Sequence, residues 1–280
     1  MSISIVRTVV GEVEVRLVGV GKPILFVHGG HVDYRETVFQ KGLDPQKFLF
    51  IAPSRPGYGS TLLSEINKSP KGTADLFVEL LNELKISKVI VVGISAGGLT
   101  ALEIAGRYTD RVERLILMSA LTKEWFNKTD KIYKGAKIVF SPTIERFTWF
   151  LYRSFFRLFP KAMAKMMFTE LSTYRPVEFT NDEVTELKRM TMSMRSGEGF
   201  SNDLDKTIDQ EILDRIISPT LILHSKNDNS VSKSHAQNGG NKIRNSEIVY
   251  LDNRWGHLLW LGMQYSQVLS ELNKRTDVHQ

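Results

Sequence analysis

The sequence predicts an α/β fold, a parallel sheet covered by helices on both faces. Two observations carry this. Short apolar runs alternate with helix-like stretches along most of the chain, the order expected of βαβ units. Several of these runs are continuously apolar rather than alternating, such as VIVV at 89–92 and LILM at 115–118. Strands buried on both faces read that way.

The elements follow in order. Residues 3–9 (ISIVRTV) and 12–18 (EVEVRLV) are β-branched and separated by Gly11, which reads as a hairpin. PILFVHG at 23–29 is a buried strand ending in glycine. FLFIAPS at 48–54 is the next, followed by the turn-rich RPGYGST. Over 70–86, Leu76, Leu80, Leu81 and Leu84 share one helical face. KVIVVGIS (88–95) is a strand, then a helix runs to about Tyr108. RLILMSA (114–120), TLILHS (220–225) and EIVYLD (247–252) are further strands. Helices are expected near 231–240 and from about His257 to Lys274. The stretch 121–205 interrupts the alternation. It is rich in Phe, Met, Trp, Lys and Arg and mostly helical in pattern. It reads as an insertion over the sheet edge rather than a separate domain.

Composition sets limits on function. The chain has 280 residues, 42% hydrophobic and 24% charged, with no Cys. The length suits one large domain, or one with a sizeable insertion. Disulfides, thiolate catalysis and Cys-based zinc sites are excluded. MSISIVRTVV lacks the basic start and long apolar core of a signal peptide. No apolar run reaches the roughly 20 residues that span a bilayer. A cytoplasmic protein is the expectation. The net charge is +6. Residues 123–165 carry ten Lys/Arg against three acids, so the positive charge is regional. Apart from charge nothing points to nucleic acid, and none is expected as a partner.

Gly93-Ile94-Ser95-Ala96-Gly97 is a G-x-S-x-G run between a strand and a helix. The glycines permit a turn too tight for a Cβ at neighbouring positions, which would hold the Ser95 hydroxyl exposed at the carboxyl edge of the sheet. The helix after it points free N–H groups at the same place. A plain Gly-rich turn with an incidental serine is the alternative. No Gly-Lys-Ser/Thr follows, which argues against a Walker-type phosphate loop.

A serine nucleophile needs a base, an orienting acid and an oxyanion site. Of the six histidines, His257 lies in DNRWGHLLW just after the last strand, where a loop can bring it to Ser95. His279 is in the tail, His235 reads as an exposed helix residue, His224 sits within a strand, and His28 at a strand end reads as structural. Asp228, in LILHSKNDNSV, falls between serine and histidine in the chain and is the first choice of acid. Glu124 and Asp252 are the other candidates, and turn chemistry beside Asn227 and Asn229 is the competing role for Asp228. For the oxyanion, Ala96 N–H follows the nucleophile directly. His28-Gly29-Gly30-His31 offers a second amide, and Gly30 is chosen because a residue without a Cβ allows close approach.

Together HGG at 28–30, RPGYG at 55–59, GISAG at 93–97, the Asp228 loop and the His257 loop resemble the α/β-hydrolase family, in family order over nearly the whole chain. The resemblance implies an eight-stranded, mostly parallel sheet flanked by helices, with a helical cap inserted after strand 6. The core would be 1–120 with 206–280, and the cap 121–205. It implies a Ser95–His257–Asp228 triad, with Gly30 and Ala96 as oxyanion donors, acting on a small-molecule ester or lactone with no metal or organic cofactor. A Ser nucleophile argues against the haloalkane dehalogenase and epoxide hydrolase branches. A single HGG is less like the HGGG esterases. The chain looks like the capped branch that holds carboxylesterases, lactonases and carbon–carbon bond hydrolases, and its motifs do not separate these. A low-turnover ligand sensor on the same fold is the reading from another class.

Within the insertion, SPTIERFTWFLYRSFFRLFPKAMAKMMF (141–168) places Arg146, Arg153 and Arg157 on one helical stripe, with Ile144, Phe147, Phe150, Leu151, Phe155 and Leu158 over much of the rest. One reading is a helix packed on the mouth of the site with its arginines in water. A second is an apolar pocket beneath the cap, with methionines that adapt to ligand shape. A third is weak peripheral contact with anionic lipid.

Overall fold

In a computed structural model, which describes residues 1–175, 178–262 and 265–276, the chain forms an eight-stranded sheet. The strands are β1 (Ser2–Arg7), β2 (Glu12–Gly19), β3 (Lys22–Val27), β4 (Phe48–Pro53), β5 (Val89–Ile94), β6 (Val112–Met118), β7 (Thr220–Ser225) and β8 (Ser246–Leu251). Their order across the sheet is β1-β2-β4-β3-β5-β6-β7-β8. β1 pairs antiparallel with β2, and β2 antiparallel with β4. All later pairs are parallel.

The strand sequences explain why both faces are covered. Successive side chains point to opposite faces. Leu25, Val27, Val91, Leu115 and Leu117 belong to one core cluster, filled in by α1 (Pro70–Glu83) and α2 (Gly98–Arg107) through Leu76, Leu80, Leu102 and Ile104. Ile24, Phe26, Ile90, Val92, Ile116 and Met118 belong to the other. α1 starts where the sequence has its cap: the Ser69 side chain accepts from the Gly72 amide, and Pro70 occupies the first turn.

Between β6 and β7 lie α3 (Lys131–Val139), α4 (Glu145–Leu158), α5 (Pro160–Leu171), α6 (Asn181–Ser193) and α7 (Gly199–Asp203). They share a core with the sheet: Trp149, Phe156, Met163 and Leu187 join the cluster that contains Ile24 and Phe26. The helix after β7 is α8 (Lys233–Lys242), and the last is α9 (Tyr265–Thr276). Among the described residues no helix is long and apolar enough to cross a membrane.

Two sequence expectations are corrected. The final helix begins at Tyr265 rather than near His257. Leu258 to Leu261, which look helical, are buried in a turn-rich loop instead, pinned where the Asn253 side chain donates to Leu259 O at 3.2 Å and accepts from Trp255 N at 2.7 Å. His235 is 3% exposed, not a surface residue. Its Nδ1 accepts from Thr122 N at 3.1 Å, tying α8 to the chain after β6. On α4 the arginine stripe stands beside an apolar surface that is itself exposed; the packed side is Glu145, Thr148, Trp149 and Phe156. His279 lies outside the described residues.

Burial of neutral imidazoles makes stability pH-dependent. Burial, with Arg55 nearby, lowers His28 from 6.5 to about 3, and burial beside Lys123 lowers His235 to about 4. The unfolded chain therefore binds more protons than the native one below the ordinary value. The stability these residues contribute is complete above about pH 6.5 and is lost as pH falls toward 3–4. Each removes up to about 1.4 kcal/mol per pH unit within that window. Urea unfolding midpoints measured between about pH 7 and 5 are expected to fall with pH. A constant midpoint contradicts the buried neutral imidazoles.

Candidate active site

The site sits at the carboxyl ends of the strands. β5 ends at Ile94, and Ser95–Gly97 make a single 3₁₀ turn before α2 begins at Gly98. The helix thus starts two residues later than the sequence suggests. Ser95 is held at φ +50°, a left-handed conformation costly for a residue with a Cβ. Gly97 passes so close to β3 that a Cβ there would lie 2.2 Å from Val27 O and 2.5 Å from His28 O. The Ser95 carbonyl accepts from Leu121 N at 3.0 Å, which fixes the turn to the chain just after β6.

Two loops bring the partners. His257 Nε2 is 3.0 Å from Ser95 Oγ. Its Nδ1 is 3.0 and 3.2 Å from the two carboxylate oxygens of Asp228. Asp228 Oδ1 also accepts from the amides of Ser230 and Val231 at 2.9 and 2.8 Å. Burial opposes ionisation of Asp228, but the facing His257 and the Val231 amide outweigh it and hold its carboxyl below the usual range. An ionised acceptor at Nδ1 puts the imidazole proton there and leaves Nε2 to accept from the Ser95 hydroxyl. The His257 amide in turn donates to Leu171 O at the end of α5, at 2.9 Å. Ser95 and His257 are each 6% exposed.

The other acids of the sequence reading are elsewhere. Glu124 is exposed. Asp252 is exposed and accepts from Asn227 Nδ2 at 3.1 Å. His224 is buried, with Nε2 3.9 Å from Asp228 Oδ2. Burial lowers its pKa, so it stands neutral behind the carboxylate.

Gly29 and Gly30 follow β3, and Gly29 lies against the Ser95 turn. A Cβ on Gly29 would lie 3.0 Å from Ser95 Cβ. Ala96 is buried in the 3₁₀ turn directly after Ser95. The peptide group joining Gly29 and Gly30 is gripped at its oxygen. His28 Nδ1–H donates to Gly29 O at 2.7 Å and Arg55 Nη2 donates to it at 2.9 Å. His28 Nε2 is then free to accept, and it takes the Arg55 amide at 2.8 Å. Holding the oxygen of this peptide also fixes the direction of its N–H, which belongs to Gly30.

Sequence reasoning reads RPGYG as a turn and as part of the family resemblance, without a role for its arginine, and the structure gives it one. Arg55, wholly buried, forms a two-pronged ion pair with Asp203 of α7, at 2.6 and 2.7 Å. Tyr58 donates to Asp203 at 2.6 Å, and Lys206 Nζ is 3.0 Å from it. Burial alone would raise the Asp203 carboxyl, but Arg55 and Lys206 hold it well below the usual range. An arginine placed among turn residues directly after a buried strand was the available signal. Its partner lies 148 positions away, and no local pattern announces it.

The insertion closes on this turn. Phe200 of α7 stacks on His31 with centroids 3.7 Å apart, and a Cβ on Gly30 would lie 2.8 Å from its ring. Trp149 Nε1 donates to Ser196 Oγ at 2.7 Å, and the same oxygen is 2.9 Å from His31 Nδ1. An aromatic wall from α4 and α7 therefore stands beside Gly30.

Comparison with known proteins gives a consistent result. The model of the alpha/beta hydrolase fold family matches residues 22–261. The uncharacterized hydrolase YcgS of Bacillus subtilis is 38% identical over 268 residues, covering 94% of each chain. Among solved structures, an alpha/beta hydrolase fold protein from Nakamurella multipartita superposes with a TM-score of 0.78 at 23% identity, over 98% of each chain. The enol-lactonase from Burkholderia xenovorans superposes with a TM-score of 0.77 at 15% identity, over 97% of this chain and 98% of that one.

Proposed function

The chain belongs to the alpha/beta hydrolase fold family, and on that premise we propose that it cleaves carboxylic ester or lactone bonds through an acyl-enzyme on Ser95. The single observation that carries this is the contact series from Asp228 through His257 to Ser95, at 3.0 Å for each hydrogen bond. Chains of that kind make a hydroxyl nucleophilic at neutral pH.

The steps follow from the geometry. His257 Nε2 takes the hydroxyl proton as Ser95 Oγ attacks the substrate carbonyl. Asp228 keeps Nδ1 protonated and stabilises the imidazolium that forms. The amides of Gly30 and Ala96 receive the developing oxyanion, and the Arg55 and His28 bonds to Gly29 O keep the first of these amides directed. His257 returns the proton to the leaving alcohol. Water, deprotonated by His257, then attacks the acyl carbon, and His257 returns that proton to Ser95 Oγ as the bond to the acid breaks. In this reading residues 121–205 are a cap on a core of 1–120 and 206–280. The aromatic wall of Trp149 and Phe200 beside Gly30 favours substrates that are largely apolar.

The test is a p-nitrophenyl ester series from acetyl to palmitoyl. Serine-dependent turnover on at least part of the series is expected, with the preferred chain length sizing the acyl side. A folded protein that turns over no ester and no lactone contradicts the proposal and moves the assignment to a carbon–carbon bond hydrolase or a ligand sensor.

A further inference from the structure

The insertion carries an apolar surface that the fold leaves uncovered. On α4 the packed side holds Trp149 and Phe156. At about 100° per residue the opposite side holds Phe147, Phe150, Leu151 and Leu158. These are 60, 57, 36 and 69% exposed. The surface continues onto Phe159 at the α4–α5 junction, 58% exposed. α3 buries none of its residues. Exposed apolar side chains are ordinary when scattered singly. Clustered on neighbouring turns they mark a contact surface. A helix that is apolar on two opposite sides needs both covered.

The rim of this surface is basic. Arg146 and Arg157 flank the apolar ridge on α4, and Lys161 and Lys165 stand exposed on α5. The one acid of α4, Glu145, is turned inward and paired with Arg195 at 2.7 Å. Lys137 is neutralised by Asp205.

We propose that this face docks the protein on an anionic lipid bilayer. Charge selects the occupant. A second copy would set basic rim against basic rim across a two-fold interface. An anionic surface takes Lys and Arg at its phosphates while aromatic and aliphatic tips enter the acyl boundary. A bilayer does so without the matched apolar patch that an acidic protein would have to supply. Contact is peripheral, since no helix among the described residues can span. The inner side of the same helix, at Trp149, reaches the aromatic wall beside Gly30.

The experiment is co-sedimentation of the full chain with phosphatidylcholine vesicles, with and without about 30% phosphatidylglycerol. Two variants accompany it. One replaces the ridge, Phe147→Ser with Phe150→Ser and Leu158→Ser. The other reverses the rim, Arg146→Glu with Arg157→Glu and Lys161→Glu. Binding is expected on the anionic vesicles and weaker by roughly tenfold or more on phosphatidylcholine alone. A loss of the same size, roughly tenfold or more, is expected for each variant. Unchanged thermal melting of both variants separates lost docking from lost folding. Vesicle binding is read without turnover, so it stands or falls apart from the ester hydrolase proposal. Absence of binding to anionic vesicles overturns the inference, as does full binding by the ridge variant. A wild-type dimer that the ridge variant converts to monomer, with no vesicle binding, also overturns it and assigns the face to a second copy.

Discussion

Replacing Ser95 by alanine is expected to lower kcat on any ester the protein hydrolyses by about 10⁶-fold. The magnitude follows from how the three side chains act together. His257 Nε2 sits 3.0 Å from Ser95 Oγ, and Asp228 holds the opposite ring nitrogen at 3.0 Å. His257→Ala should therefore cost about as much as Ser95→Ala, and the double variant little more than either. Asp228→Asn should cost about 10⁴-fold, because the imidazole keeps a hydrogen-bond partner but in the wrong tautomer. Fold is not at risk in Ser95→Ala, since alanine needs no more room in the turn. Steady-state kinetics of the three single variants and the double variant check the scheme. Multiplicative losses in the double variant would mean that Ser95 and His257 act in separate steps.

The second large effect is on stability. Asp203→Ala is expected to destabilise the protein by about 3–5 kcal/mol, because it leaves buried positive charge on Arg55 and Lys206 without a counter-ion. Arg55 and Asp203 are wholly buried as side chains. Arg55→Met is the informative companion. It leaves Asp203 with Lys206 at 3.0 Å and the Tyr58 hydroxyl at 2.6 Å, so the remaining charges still balance. Its effect should appear in turnover: the Gly29 carbonyl loses one of its two donors, and the Gly30 amide is held less firmly. A fall in kcat of about 10-fold to 100-fold with KM little changed is expected. Urea unfolding of Asp203→Ala and kinetics of Arg55→Met make the measurement. A midpoint equal to wild type in the first, or a pure KM effect in the second, contradicts this account of the cluster.

The strands were legible because burial on both faces leaves an unbroken apolar run, as at Val89–Val92 in β5 and Leu115–Met118 in β6. Strand ends and chain order narrowed the candidates to a few residues, and the structure brings three of them, Ser95, Asp228 and His257, within hydrogen-bond reach. Asp228 was separable from Glu124 and Asp252 only by geometry, since all three follow apolar strands. Three features were hidden. The Arg55–Asp203 pair joins distant positions, and no periodicity links a turn arginine to an aspartate at the end of a short helix. The start of α9 was misplaced because buried loop leucines imitate a helical face when an asparagine, here Asn253, supplies the bonds. The outer side of α4 reads as core by composition, and only the structure reveals that Phe147, Phe150 and Leu158 stand more than half exposed there.

The most direct test of the central claim is covalent. The protein is incubated with an alkyl fluorophosphonate, and the adduct is located by intact-mass and peptide mass spectrometry. The account predicts a single adduct, on Ser95, that blocks ester turnover and forms far more slowly in His257→Ala. Ester turnover that persists with Ser95 fully modified, or an adduct that forms equally fast without His257, would contradict it.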